Sequence, residues 1–141
     1  MSEKASAESA VRHLNPDALS KNPAFTNVIE VTGPVKTVYV GGQDAVDASG
    51  NIVGKGDMKA QAEQVFKNFQ AALAAAGAGL EHVVKWNIYV VQGQPLQPGF
   101  EVFQRVWGNR PNPPTITGLF VAGLANPDFL LEMDGIAVVP Q

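Results

Sequence analysis

The 141-residue sequence predicts an α+β fold of order ββαβαββ, in which two helices pack on one mixed sheet. Two observations predict this fold. Residues 57–76 and 99–107 each place apolar side chains on one face at helical spacing, whereas five shorter runs are rich in β-branched and aromatic residues. The length and the 45% apolar content indicate a single domain, residues 1–141, with one core.

The chain begins with a segment that shows no regular pattern. Two prolines interrupt residues 1–23, which are therefore predicted to form an irregular N-terminal arm. Two β-rich runs follow, at 27–32 and 37–41, with Gly33-Pro34 between them. Because Gly-Pro is a turn signal, these runs are predicted to pair as an antiparallel hairpin.

Residues 57–76 form the clearest predicted helix. Asp57 suits the N-cap, and Gly77 or Gly79 suits the position that follows the last turn. The apolar face recurs at spacings of three and four and consists of Met58, Ala62, Val65, Phe66, Phe69, Leu73 and Ala76.

Residues 82–91 are predicted to form a central strand covered on both faces, because apolar residues occur on both alternating sides. Trp86 lies on one of these sides and is predicted to be core. Trp107 closes the apolar stripe of the second helix, and core is again the favoured interpretation. Three prolines then break the chain before the final strands, which are predicted at 115–122 and 129–138.

Composition and charge exclude several classes of function. Ten basic residues against 13 acidic ones give a net charge of −3, which favours neither a nucleic-acid nor a membrane partner. The sequence has no cysteine and only two histidines, so no metal or other cofactor is predicted. The first 20 residues lack the apolar stretch of an export signal, which makes a cytoplasmic location the expectation.

The last predicted strand carries the first candidate for chemistry. Glu132 and Asp134 are two residues apart, so they project from the same face, about 6.5 Å apart along the strand. A carboxyl group held among apolar neighbours has a raised pKa and can serve as an acid–base group. The alternative is that this face is simply the solvated side of the strand, and the residues alone leave both interpretations open.

An ordered set of short motifs along nearly the whole chain resembles the RidA/YjgF family. The matching segments are Val38–Gln43, Gly50–Asp57, Gln61–Phe69, Val83–Val90, Arg110–Pro111, Pro113–Pro114, Val121–Leu124 and Leu131–Val138. Each piece alone is weak, but their order and spacing are specific.

The resemblance implies a chorismate-mutase-like α+β fold that assembles as a homotrimer with ligand clefts between subunits. Family members of the best-known type hydrolyse reactive enamines and imines, such as 2-aminoacrylate, to a keto acid and ammonia. Their site resembles a strand arginine that grips the substrate carboxylate and a glutamate on the last strand that orients water. Backbone of a Ser-Gly-Gln turn and an N-terminal aromatic residue complete it.

Carried over by position, the glutamate falls on Glu132, the predicted catalytic residue. In the turn, Gly41 stands where serine is common, and the N-terminal aromatic residue is Phe25, which lacks the usual tyrosine hydroxyl. The full set of predicted substrate-binding positions is Phe25, Gly41, Gly42, Gln43, Phe100, Ile116 and Thr117.

The main departure from the family is Ile116, which occupies the arginine position. A guanidinium binds a carboxylate with two charge-assisted hydrogen bonds, and isoleucine offers neither donor nor charge. The cleft, with Phe25, Phe100 and Leu119 also facing it, is therefore expected to favour a neutral or cationic ligand. Arg105 or Arg110 of a neighbouring subunit is kept open as a replacement for the lost arginine.

Four functions remain open from the sequence, the last of them a chaperone-like or purely structural role. The first is an imine or enamine hydrolase of the deaminase type, with Glu132 as the acid–base group and Asp134 as a weaker second. The second is a trimer that binds a small molecule without turnover. The third follows older descriptions of the family as endoribonucleases and translation inhibitors, and the negative net charge disfavours it.

Overall fold

A computed structural model describes residues 9–141 and contains six strands and two helices in that range. A short 3-10 turn, Leu80–His82, precedes the fourth strand. In chain order the elements are β1 Ala10–Leu14, β2 Val28–Thr32, β3 Val35–Gln43, α1 Met58–Ala75, β4 Val83–Val91, α2 Gln97–Trp107, β5 Thr115–Val121 and β6 Leu131–Pro140.

Four of the strands form a mixed sheet in the order β3-β6-β4-β5. β6 runs antiparallel to both β3 and β4, whereas β4 and β5 are parallel. Both helices lie on one side of this sheet, so the predicted α+β architecture is confirmed. Among residues 9–141, no helix has the length and apolar character needed to cross a membrane.

The predicted hairpin of residues 27–32 and 37–41 is wrong. β2 pairs with β1 in a separate two-stranded antiparallel sheet, while β3 pairs with β6. Gly33, at φ +82°, does turn the chain, but it turns it from one sheet into the other. A Gly-Pro signal marks a change of direction and does not specify the partner strand.

The predicted irregular arm is also corrected over residues 10–14, which form β1, while residues 1–8 lie outside the described part. β1 is a short strand without a fully buried residue: Val11, His13 and Leu14 are half-buried, and Ala10 and Arg12 are exposed. Arg12 bonds Glu30 of β2 at 2.6 Å. A five-residue strand interrupted by Arg12 and His13 has neither a sustained alternation nor an apolar run, so its sequence does not predict it.

Both predicted caps of the first helix are found. The Asp57 side chain accepts a hydrogen bond from the Ala60 amide, 3.1 Å away, at the N-terminus of α1. At the other end Gly77 has a φ of +72°, and the Ala78 amide reaches back to the Leu73 carbonyl at 2.9 Å. This is the Schellman arrangement, in which glycine avoids the steric cost of the left-handed conformation.

Trp86 lies fully buried at the centre of the core, as the sequence predicts. Phe69 of α1 stacks on its ring with centroids 5.2 Å apart, and Trp107 of α2 lies 6.3 Å away. Phe66 and Phe103 meet the same ring edge-on. The cluster therefore joins both helices to one face of the sheet.

The opposite face of the sheet is open in the described chain. Neither helix packs there, and Tyr39 of β3 is 77% exposed on it. The expectation that β4 is covered on both faces is therefore wrong for a single chain. The side that carries Lys85, Asn87 and Tyr89 is polar and only half-buried.

Candidate functional site

A cavity of about 520 Å³ opens between the edge of the sheet and α2, on the side that the helices cover. Three predicted site residues line it: Phe25, Phe100 and Ile116. Gln97 supplies the one polar side chain among its lining residues. The others are Ala24, Met58, Phe66, Ile88, Val90, Leu96, Gly99, Phe103, Gly118, Leu119, Phe120, Leu131 and Met133. The volume is that of a small-molecule site, and the lining is suited to an apolar ligand.

Local contacts fix the walls of this cavity. Thr26 is buried, and its amide donates to the Pro114 carbonyl at 3.0 Å, which places Phe25 beside the start of β5. Ile116 is paired with Trp86 in the parallel register and packs against the core. Phe100 stacks on Phe103 with centroids 6.3 Å apart, yet it stays 44% exposed at the mouth.

Glu132 lies on the other face of the same sheet. Side chains of successive strand residues alternate between faces, and Leu131 and Met133 of β6 face the core. On β4, Tyr89 pairs with Glu132 and Trp86 pairs with Ile116. The two β4 residues are three apart, so they face opposite sides of the sheet. Within one chain, the predicted catalytic carboxyl and the predicted substrate-binding Ile116 are therefore separated by the sheet.

A β-bulge brings the predicted backbone turn to Glu132. Val40 pairs with Gly135 and Gln43 with Met133, so three steps along β3 match two along β6. The extra residue reverses the alternation after Val40 and turns Gly42 to the open face. A Cβ atom at Gly42 would overlap the Glu132 carboxylate. Glycine is therefore needed for the carboxyl group to lie against this backbone.

Asp134 shares the open face with Glu132, as the sequence predicts, but its oxygens are occupied. Asn87 donates to Oδ1 at 2.7 Å, and the Tyr89 hydroxyl donates to Oδ2 at 2.9 Å. The hydrogen bond to Asp134 raises the pKa of Tyr89, with lesser effects from burial and from the nearby carboxylates. Asp134 therefore organises β4 against β6 and is a poorer acid–base candidate than Glu132.

Asp44, directly after the predicted turn, is a functional candidate that sequence reasoning missed. Partial burial, together with hydrogen bonding and charge repulsion from Glu132, raises its pKa to about 7. Its Oδ1 atom is buried and has no hydrogen-bond partner among the described residues. The sequence offered no signal that Asp44 and Glu132 are neighbours, because the bulge that aligns them cannot be inferred from the alternation of residues in β3.

The remaining predicted site residues do not line the cavity. Gln43 donates its amide to the Gly41 carbonyl at 3.1 Å, which holds the turn. Thr117 accepts a hydrogen bond from Lys85 at 2.6 Å on the open face. The predicted set is therefore divided: Phe25, Phe100 and Ile116 line the cavity, Gly42 lies against Glu132, and Gly41, Gln43 and Thr117 lie outside the cavity.

Both arginines considered as replacements are engaged within the chain and do not line the cavity. Arg105 bonds Glu63 at 2.9 Å. Arg110 donates to the Val106 and Trp107 carbonyls and lies over the Trp107 ring, 5.9 Å from its centroid. Within residues 9–141, no three histidine or carboxylate side chains come together as a group that could hold a metal ion.

The fold and these two features define a class: an α+β protein with a small-molecule-sized apolar cavity on one sheet face and a glutamate against glycine backbone on the other. The family model described as endoribonuclease L-PSP matches residues 16–139. A RutC family protein of Pyrococcus abyssi is 33% identical over 100 residues, which are 71% of this chain and 76% of that protein.

A solved structure of the Rid family protein YyfB from Yersinia pestis superposes with a TM-score of 0.80 at 28% identity, covering 92% of this chain and 98% of that one. A 2-iminobutanoate/2-iminopropanoate deaminase of Dermatophagoides farinae is 37% identical over 54 residues, which are 38% of this chain and 42% of that protein. The chain belongs to the RidA/YjgF family, and the resemblance found in its motifs is confirmed.

Proposed function

We propose that this protein is a cytoplasmic homotrimeric hydrolase that converts a neutral imine or enamine to a carbonyl compound and ammonia. The observation that carries the proposal is the contact of the Glu132 carboxyl with the glycine backbone of the bulge at Gly42. The contact gives the carboxyl a fixed place beside exposed backbone. The family membership, and a deaminase among the relatives, favour this chemistry over other uses of a strand glutamate.

Glu132 would act as the acid–base group of a balanced hydrolysis. Its carboxylate accepts a proton from water while the water oxygen bonds to the carbon of the C=N group. Glu132 returns this proton to the imine nitrogen, which gives a neutral carbinolamine. Glu132 then accepts the carbinolamine hydroxyl proton and passes it to the nitrogen as the C–N bond breaks and the C=O bond forms. The products are a carbonyl compound and ammonia, and no cofactor is required.

The apolar cavity sets the proposed substrate preference. Ile116 supplies no donor for a carboxylate, and burying an unpaired carboxylate costs several kcal/mol or more. Gln97 is the one polar side chain of the lining. The preferred substrate is therefore a neutral imine with an apolar substituent, in contrast to 2-aminoacrylate.

A second copy of the chain completes the site in this proposal. Glu132 and the cavity lie on opposite sheet faces, so a single chain cannot present both to one substrate. Apolar Leu119 and Phe120 on the edge strand β5 are 51% and 54% exposed at the mouth of the cavity. We infer that in the homotrimer the open face of one protomer meets the cavity mouth of the next.

Ammonia release tests the proposal directly. Imines are generated in situ by an amine oxidase or an amino-acid oxidase, and wild type is compared with Glu132→Gln, Ile116→Arg and, as a matched surface control, Glu81→Gln. Wild type and Glu81→Gln should accelerate hydrolysis of neutral imines, whereas Glu132→Gln should not. Ile116→Arg should gain activity on carboxylated imines. Equal rates for wild type and Glu132→Gln would refute the catalytic role.

A non-catalytic binding protein is the second candidate, and one observation favours it: no ionisable side chain lines the cavity. This function requires only that the cavity accept an apolar molecule. It predicts that Glu132→Gln leaves ligand affinity unchanged and that wild type releases no ammonia above the spontaneous rate from any imine. Turnover that depends on Glu132 would exclude it.

A further inference from the structure

Asp44 is brought to Glu132 by the same bulge that places Gly42. Gln43 is paired with Met133, so the next residue of the chain comes opposite Glu132. Without the extra residue in β3, strand alternation would turn Asp44 toward the helices. The bulge therefore creates a carboxyl pair, Asp44 and Glu132, on the open face of the sheet.

The backbone around Asp44 is held in place by α1. The Asn68 side-chain amide donates to the Asp44 carbonyl at 3.0 Å and to the Val46 carbonyl at 2.8 Å. The Val53 amide donates to the Ala45 carbonyl at 2.8 Å, and Ala45 is fully buried. Asp44 thus extends from a fixed segment, which allows its side chain to position another group.

Two carboxyl groups can share a hydrogen bond only when one of them carries a proton. Burial and the proximity of Glu132 both favour the protonated form of Asp44, whose pKa is raised to about 7. Glu132 has its carboxylate against Gly42 on the other side, where a Cβ atom would not fit. The carboxylate of Glu132 therefore lies between a fixed glycine backbone and a fixed carboxyl donor.

We propose that Asp44 is a positioning residue: its protonated carboxyl donates a hydrogen bond to Glu132 and holds it in the orientation that activates water. This inference rests on the proposed hydrolase function and assigns a role to a residue that the family resemblance did not mark. As Asp44 ionises, the hydrogen bond is replaced by repulsion between two carboxylates, and Glu132 is released from its orientation.

The other ionisable groups on this face are accounted for. Tyr89 and Asp134 are hydrogen-bonded to each other, Lys85 is bonded to Thr117, and Tyr39 lies on β3. From α1 the segment meets the amide of Asn68, which is uncharged. None of the contacts described for these groups supplies Asp44 with a counter-ion.

The test compares Asp44→Asn with Asp44→Ala in ammonia release from a neutral imine between pH 5 and 9. The asparagine amide can donate to Glu132 but cannot ionise. Wild-type kcat should fall as pH rises through about 7, and Asp44→Asn should keep near-wild-type kcat without that fall. Asp44→Ala should lower kcat about tenfold and leave KM unchanged. This loss is smaller than the hundredfold or more by which a positioned acid–base group accelerates a reaction, because Glu132 itself remains.

Asp17→Asn is the matched control, because Asp17 is a fully exposed carboxyl that pairs only with Lys21 in the described structure. It should retain both the rate and the pH profile of wild type. The inference would be overturned if Asp44→Ala kept the wild-type kcat. It would also be overturned if kcat of Asp44→Asn still fell as pH rises through 7.

Carboxyl NMR titration supplies a readout that does not depend on turnover. Asp44 should titrate near pH 7 in wild type and at lower pH in Glu132→Gln, and an ordinary Asp44 titration would overturn the carboxyl pair. Failure of the inference is distinguishable from failure of the proposed function. If wild type turns over imines through Glu132 but the Asp44 variants behave like wild type, only the inference fails, whereas an inactive wild type overturns both.

Discussion

The Glu132 carboxyl and the Ile116 side chain lie on opposite faces of one four-stranded sheet. The residues that the family resemblance assigns to a single site are consequently divided, with Ile116 in an apolar cavity and Glu132 beside Gly42 and Asp44. In the proposed function, the carboxyl that activates water and the wall that selects an apolar substrate can therefore be varied separately. The assembly of protomers decides whether they act together.

Gly42→Ala should abolish most of the activity while leaving the fold intact. The added Cβ atom would overlap the Glu132 carboxylate, which can swing away because it is the end of a flexible side chain. We expect kcat for ammonia release to fall by at least about tenfold, with little change in the melting temperature. Gly123→Ala is the control, because a Cβ atom there meets no neighbour within 4 Å. Unchanged kcat in Gly42→Ala would contradict the assigned place of Glu132.

Gly135→Ala should lower stability, because this position has no room for a methyl group. A Cβ atom at Gly135 would lie 2.7 Å from the Lys85 carbonyl oxygen and 2.8 Å from the Phe69 ring. Overpacking of this kind costs roughly 1–3 kcal/mol. Urea unfolding should show a lower free energy of unfolding for Gly135→Ala than for Gly123→Ala. Equal midpoints for the two variants would show that the core rearranges to accommodate the added methyl group.

Gln61→Leu should destabilise the protein through lost hydrogen bonds. Gln61 is fully buried, donates to the Gly54 and Asp128 carbonyls at 3.0 and 2.8 Å, and accepts from the Leu130 amide at 2.9 Å. Leucine has a similar volume but removes the partner of three backbone groups, of which the Leu130 amide is buried, at a cost of about 2 kcal/mol or more. The exposed Gln70→Leu on the same helix is the control in thermal unfolding. Equal melting temperatures for the two variants would contradict this role.

Asp44 should make the free energy of unfolding depend on pH. Its pKa is raised from 3.8 to about 7 in the folded state, so the folded protein binds more protons than the unfolded chain between these values. The stability contributed by Asp44 is therefore present below about pH 4 and is lost as pH rises to about 7. Urea unfolding of wild type and Asp44→Asn at pH 5 and pH 8 should show wild type losing more stability. Parallel losses in the two proteins would disprove a raised pKa.

The sequence was sufficient for the elements with strong periodicity. The apolar face of α1, its Asp57 cap, its C-terminal Gly77 and the buried Trp86 were all predicted, because each depends on local chemistry or on burial. The pairing of β2 with β1 was not predicted, because strands that are neighbours in the sequence need not be neighbours in a sheet. The short strand β1, interrupted by Arg12 and His13, lacks the apolar run that marks a buried strand.

The candidate site was predictable in composition but not in arrangement. Glu132 and Asp134 were correctly placed on one strand face, because alternation along β6 is regular. Asp44 was missed, because the bulge in β3 reverses the alternation that such reasoning assumes. The division of the site between two sheet faces depends on the register of β5 and β6 against β4, which single-strand patterns do not contain.

Complementation between two inactive variants tests the central claim most directly. Gly118→Leu adds a side chain to the cavity at a position with no neighbour within 4 Å, and Glu132→Gln removes the acid–base group. Suppose that one protomer supplies the cavity and the next supplies Glu132. In an equimolar co-refolded mixture, half of the protomers have an intact cavity and half have Glu132, so about one quarter of the sites combine both. The account predicts ammonia release at about that fraction of the wild-type rate. A mixture as inactive as its components would contradict it.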